Sequence, residues 1–235
     1  MTYYTAERLS DAIAAICPDI ESNVRNASKK PDDRIMWWEL SSCILSSQVP
    51  YSLAITAADV IDRSALLYGD DLKGINLFEE LNRLLEQPLV VEGKARHYRF
   101  PRIRAQQLAA ARQAIILQSG SILELVQGFK DPVVAREWLV KKIPGVGPKQ
   151  ASMFLRNIGF SYDLAIIDRH VLNYMSIIGI SSDGLKSISG MKEYGKRESS
   201  LRDYAEQLDC TVGILDWAIW IVMRVASGRM EKNFV

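Results

Sequence analysis

The chain predicts an all-α protein of about ten helices. Apolar residues recur three and four positions apart in one segment after another, prolines and glycines fall between those segments, and no run sustains strand alternation. Ala6 to Ile16 sets Leu9, Ile13 and Ile16 on one face. Trp38 to Leu45 continues helical, and Leu53 to Leu67 repeats the same spacing. Further helices are expected at 75–86, 103–117, 121–128, 133–142, 148–158, 169–178, 199–207 and 212–226. Pro50, Gly69, Pro88, Pro101, Gly120, Pro132, Pro144 and Gly179 punctuate them. The stretch "SSDGLKSISGMKEYGKRESS" (181–200), rich in glycine, serine and lysine, reads as a flexible linker. No repeat of fixed period is present.

At 235 residues, with 48% hydrophobic and 24% charged residues, the chain can bury a sizeable core. The N-terminal stretch lacks a basic region followed by an apolar core, so no secretory signal is expected. The longest unbroken apolar run, Trp217 to Met223, falls far short of a bilayer span, so no membrane is expected. Cys17, Cys43 and Cys210 are odd in number and scattered, which argues against a disulfide framework and for a reducing cytoplasm. No pair has zinc or iron–sulfur spacing, and all three read as small buried hydrophobes.

Net charge is +1, yet the charges are segregated. Asp59 to Glu92 holds eight acids and three bases, whereas Lys94 to Arg112 holds six bases and no acid. Lys141 to His170 adds five bases against Asp163 and Asp168. Local charge is what a phosphate backbone meets. Charge alone weighs this equally against solvated helix faces.

"IPGVGPKQASMFLRNIG" (143–159) joins two predicted helices through a glycine-rich turn. So short a turn needs glycine for positive φ and close approach, and Pro148 suits a first helical position. The N–H groups of Gly145, Val146 and Gly147 are then expected to face outward at a helix N-terminus, an anion site suited to a DNA phosphate. A merely structural αα-hairpin fits the same pattern. Lys149 sits at the helix start, where the macrodipole disfavours a cation. A lysine nucleophile must be neutral, and half-neutrality at pH 7 asks for roughly 4.6 kcal/mol. A helix N-terminus supplies at most about 2 kcal/mol, so burial in an apolar cleft must supply the rest.

"IPGVGPKQASMFLRNIGF" followed by "AIIDRHVLNYM" resembles the helix-hairpin-helix, Gly/Pro-rich loop and Asp signature of the endonuclease III superfamily of DNA glycosylases. Asp168 follows Lys149 by 19 positions, similar to the spacing in the lyase branch. "SSCILSSQVP" (41–50) and "HYRFPRIRAQQL" (97–108) look like the compact archaeal-type 8-oxoguanine DNA glycosylase/AP lyases. The resemblance spans Ser41 to Ser176. It implies two helical lobes, 31–159 with the hairpin and 1–30 plus 160–235, with an active-site cleft between them.

It further implies base excision repair in which Lys149 attacks C1′, forms a Schiff base and promotes β-elimination, with Asp168 stabilising the cationic transition state. Asp168 also suits an N-cap, and the two roles are compatible. His170 is expected either to touch a phosphate or to pack. Gln48 stands where related enzymes fill the gap left by the flipped base. Of Trp37, Trp38, Trp217 and Trp220, most are expected in the core, with Trp38 or Trp217 lining the base pocket. No iron–sulfur cluster is expected, although a monovalent cation could sit at the hairpin. The expected partner is double-stranded DNA with a modified base, bound by a monomer. Compact archaeal enzymes read 8-oxoguanine with a C-terminal lysine, whereas this chain ends "EKNFV", so other polar groups are expected to read the base. Excision of another modified base, such as a bulky one from phage DNA, and non-catalytic DNA binding stay open.

Overall fold

The computed structural model describes residues 4–26, 31–69, 74, 76–181, 188 and 190–227. Among them it contains eleven α-helices and one two-stranded sheet, and the chain divides into two compact units.

The unit Lys30–Phe160 is built around α2 (Asp33–Leu45), whose Met36, Trp37, Leu40, Ile44 and Leu45 are all buried. A helix apolar on most sides must be covered on most sides. Four helices do so: α3 (Tyr51–Ser64), α5 (Pro101–Ser119), α6 (Ile122–Gly128) and α8 (Pro148–Asn157). Then α4 (Leu77–Glu86) packs on α5, and α7 (Pro132–Lys142) packs on α8. Between α4 and α5 lies a hairpin of β1 (Leu89–Val91) and β2 (Lys94–Arg96), closed by Glu92 and Gly93 at positive φ. Three-residue strands are too short to show alternation, so the sequence pattern misses them.

The other unit comprises Met1–Lys29 and Ser161–Val235. Here α11 (Val212–Ala226) packs against α1 (Ala6–Asn26), α9 (Arg169–Ile177) and α10 (Met191–Gln207). Its core draws on Ile13 and Cys17 of α1, Val171 and Met175 of α9, Leu201 of α10, and Leu215 and Ile219 of α11.

Three sequence readings are corrected. Helix α1 runs through Pro18 to Asn26, because the stripe Leu9, Ile13, Cys17, Ile20 continues beyond the proline and stays buried. The linker reading of 181–200 fails from Met191 onward, where α10 begins; 182–187 and 189 lie outside the described residues. The stripe that α10 buries is Tyr194, Arg197, Glu198, Leu201 and Ala205, so its charged members disguise a core-facing helix as a polar one. Cys210 is only half-buried, and the neighbouring Cys17 and Cys210 thiols shift each other, Cys17 below and Cys210 above the ordinary thiol range.

Candidate active site

Helices α7 and α8 meet at the glycine-rich turn 143–147. Asp131 caps α7 by accepting from the N–H groups of Val133 (2.7 Å) and Val134 (3.3 Å). Buried Arg136 donates to Ser152 Oγ at 3.3 Å and ties the two helices together. Ile143 and Val146 anchor the turn in the core. Gly145 holds φ +83°, which favours glycine, and the Gln107 side-chain amide lies where a Cβ would sit.

The expectation of open loop N–H groups is corrected at Val146, whose N–H closes the turn on the Ile143 carbonyl at 3.2 Å. Its side chain is buried as well. The open end is one step later. Gly147 is the N-cap of α8 and supplies no capping side chain, and Pro148 has no N–H. The first-turn N–H groups of Lys149 and Gln150 therefore find no acceptor within the helix and form its open end.

Lys149 is half-buried in the first turn of α8, near the α2 face that carries Glu39 and Cys43. Burial and the Glu39 carboxylate push the Cys43 thiol far up, and the positive charges of Lys149 and Arg156 act the other way. Burial also raises the Glu39 carboxyl, against the lowering effect of its hydrogen bond from Asn157 Nδ2 at 3.0 Å.

Gln48 lies between α2 and α3, exposed, with φ +65°. A non-glycine residue in that region is strained and needs local support. Tyr98 Oη donates to the Leu45 carbonyl (2.7 Å), and Arg104 Nη2 donates to the Ser47 carbonyl (2.9 Å). Desolvation raises the Tyr98 phenol to about 12, with the Arg104 charge opposing it. Arg104 Nη1 also donates to Gln107 Oε1 at 2.7 Å, and Gln107 is the side chain against Gly145. Arg104 thus joins the Gln48 loop to the hairpin. Sequence reasoning counted it as surface charge, and no local signal marks it otherwise.

In the other unit, Asp168 is the N-cap of α9. Its Oδ1 accepts from the N–H groups of His170 (2.7 Å) and Val171 (3.0 Å). His170 is half-buried in the first turn of that helix. The three residues before Asp168 are held by side chains. Ala165 N–H donates to Glu198 (2.7 Å), Ile166 N–H to Asp216 (2.6 Å) and Ile167 N–H to Tyr194 (2.9 Å). Sequence reasoning missed all three acceptors. Asp216 did carry a signal, as the one acid in a helix whose only other charge is Arg224 at its end.

Trp37 is a core residue, 2% exposed. The Trp38 indole donates to Asp59 Oδ1 at 2.8 Å, and Trp217 is half-buried against the core of its unit. Lys149, Gln48 and Trp38 belong to Lys30–Phe160; Asp168, His170 and Trp217 belong to the other unit. Among the described residues, no group of three or more His, Cys, Asp or Glu side chains could hold a metal ion, and no helix is long and apolar enough to cross a membrane.

Residues 20–210 match the family described as 8-oxoguanine DNA glycosylase. The chain is 34% identical over 208 residues to an 8-oxoguanine DNA glycosylase/AP lyase of Metallosphaera sedula, covering 87% of this chain and 88% of that one. It is 33% identical over 194 residues to the corresponding protein of Sulfolobus acidocaldarius, covering 82% and 84%. Its fold is similar to the crystal structure of the Thermotoga maritima 8-oxoguanine DNA glycosylase, with TM-score 0.69, 28% identity and 97% and 98% coverage. It is also similar to the Methanocaldococcus jannaschii 8-oxoguanine glycosylase/lyase in complex with a 15mer DNA containing 8-oxoguanine, with TM-score 0.62, 29% identity and 95% and 93% coverage. By sequence along most of its length and by fold, the chain belongs to the 8-oxoguanine DNA glycosylase family.

Proposed function

We propose that this chain excises 8-oxoguanine from double-stranded DNA and then nicks the strand as an AP lyase, with Lys149 as nucleophile and Asp168 as electrostatic partner. The reading rests above all on a lysine held half-buried in the first turn of α8, in a chain of this family. The target base is turned out of the duplex at a cost of a few kcal/mol. The neutral Lys149 amine attacks C1′, the glycosidic bond breaks, and the base leaves with its bonding pair and takes up a proton. Opening of the sugar ring leaves an imine between Nζ and C1′. Loss of a C2′ proton then expels the 3′ phosphate.

Asp168 faces the positive charge that grows on the sugar as the bond to the base breaks. Its Oδ1 is fixed by two N–H groups, so the carboxylate is oriented before substrate arrives. The α8 N-terminus with Gly145 and Gly147 takes a backbone phosphate, His170 adds a second contact from α9, and Gln48 fills the space the base vacates. The protein acts as a monomer.

Borohydride reduction with a duplex carrying 8-oxoguanine should trap a covalent adduct whose peptide map contains Lys149. Lys149→Gln should abolish trapping; unchanged trapping in that variant would overturn the assignment. Single-turnover rates on matched duplexes with 8-oxoguanine, guanine or uracil test the base. If 8-oxoguanine is cut no faster than guanine, the substrate is another base.

A further inference from the structure

Among the described residues, no strand lies beside the segment ending at Asp168. Residues 161–168 belong to no helix or sheet, yet Leu164 to Ile167 are all buried, and a buried backbone N–H must find an acceptor. Three side chains supply them in a regular order. The N–H groups of Ala165 and Ile167 go to Glu198 and Tyr194, both on α10 and four residues apart on one face. The N–H of Ile166, between them, goes to Asp216 on α11. Donors that alternate from side to side are the pattern of an extended chain, with two helices standing where neighbouring strands would be.

Tyr194 does more than accept. Its hydroxyl takes the Ile167 N–H at 2.9 Å and donates to the Ala165 carbonyl at 2.7 Å, so one atom pins both residues. Glu198 and Asp216 are 3% and 2% exposed, positions a carboxylate occupies only when well bonded. At the start of the segment, Gly213 N–H donates to the Tyr162 carbonyl at 2.8 Å, and a Cβ on Gly213 would strike that backbone. The segment is therefore gripped from Tyr162 to Ile167. Asp168 is the next residue, and its backbone at φ −100°, ψ −175° continues the extension before α9 begins.

We infer that Tyr194, Glu198 and Asp216 are positioning residues for Asp168. By fixing the peptides just before it, they set the angle at which the Asp168 carboxylate is presented. This rests on the catalytic reading of Asp168 above. The residues act through backbone and touch no substrate.

Tyr194→Phe keeps the ring and removes both hydroxyl bonds. Single-turnover excision from an 8-oxoguanine duplex should slow by about tenfold or more, because transition-state contacts are sensitive to small displacements. Affinity for a duplex carrying a tetrahydrofuran abasic analogue should stay within about twofold, since the contacts that hold the phosphates are untouched. Glu198→Gln retains an acceptor for Ala165 N–H and should keep most of the rate, whereas Glu198→Met should lose it. A merely structural role would lower rate and affinity together through loss of folded protein, so the Gln and Met variants are compared in rate per folded molecule, with melting read in parallel.

If Asp168→Asn abolishes excision while Tyr194→Phe and Glu198→Met keep the full rate, this inference fails alone. Should Asp168→Asn keep the full rate, the catalytic reading fails and takes this inference with it. If Tyr194→Phe does not fold, the Gln and Met variants of Glu198 decide the matter by whether their rates per folded molecule diverge.

Discussion

In the proposed mechanism Asp168 combines two tasks in one side chain, capping α9 and stabilising charge on the sugar. Both capping N–H groups go to Oδ1, which leaves Oδ2 for the charge-stabilising role proposed above. The two tasks separate by substitution. Asparagine keeps a capping oxygen but not the charge, whereas alanine loses both. Asp168→Asn should melt near the wild-type temperature and lose more than about tenfold in single-turnover excision, a barrier change of about 1.4 kcal/mol. Asp168→Ala should lose the rate and also about 1 kcal/mol of stability. An Asn variant that keeps the wild-type rate would reduce Asp168 to a cap. The residue and its capping role were legible in "AIIDRHVL", because aspartate before an amphipathic run is a helix-start signal. Its support was not legible, because Tyr194, Glu198 and Asp216 lie 26 to 48 positions downstream, and side-chain-to-backbone bonds leave no periodic trace.

Among the elements, the hairpin between α7 and α8 shows why position matters more than composition. Gly145 favours glycine for its φ of +83°, and the Gln107 amide lies where its Cβ would be and would have to move aside. Gly159 also holds positive φ, at +71°, but nothing lies within 4 Å of its missing Cβ. The pair makes a controlled comparison. Gly145→Ala should destabilise the protein by about 1–3 kcal/mol and weaken affinity for an undamaged duplex by more than about fivefold. Gly159→Ala should cost about 1–2 kcal/mol and leave that affinity unchanged. Equal DNA affinity in the two variants would mean that the hairpin does not touch the backbone. The turn itself was readable from Pro144, Gly145, Gly147 and Pro148. Its brace was not, since Gln107 and Arg104 are 38 and 41 positions before Gly145 in the chain.

For the whole molecule, a net charge of +1 conceals segments of opposite sign. The structure refines that count. Of the six bases between Lys94 and Arg112, Arg104 is buried on the Ser47 carbonyl, and Arg112 donates to the carbonyls of Leu67 (3.1 Å) and Gly69 (3.3 Å). Lys94, Arg96, Arg99 and Arg102 stay exposed, with Arg99 and Arg102 over the rings of Phe100 and Phe78. DNA affinity should therefore fall with salt at a log–log slope of roughly −3 to −5, equivalent to three to six phosphate contacts. Lys94→Ala should shallow that slope, while Arg112→Ala should lower stability and leave the slope alone. A slope indistinguishable from zero would refute the charge argument. What the sequence by itself determined is the local part: the helical class, the hairpin, Lys149 at a helix start and Asp168 as a cap. Each depends on residues within a turn or two of one another, so periodicity, turn chemistry and capping express it directly. Tertiary structure alone decided the rest. It made α10 a buried helix rather than a linker, set Arg104 to brace the Gln48 loop, and surrounded residues 165–167 with acceptors from α10 and α11. Those outcomes follow from the demand that apolar faces be covered and buried backbone polar groups be paired, and a folded chain can meet both from any distance along the sequence.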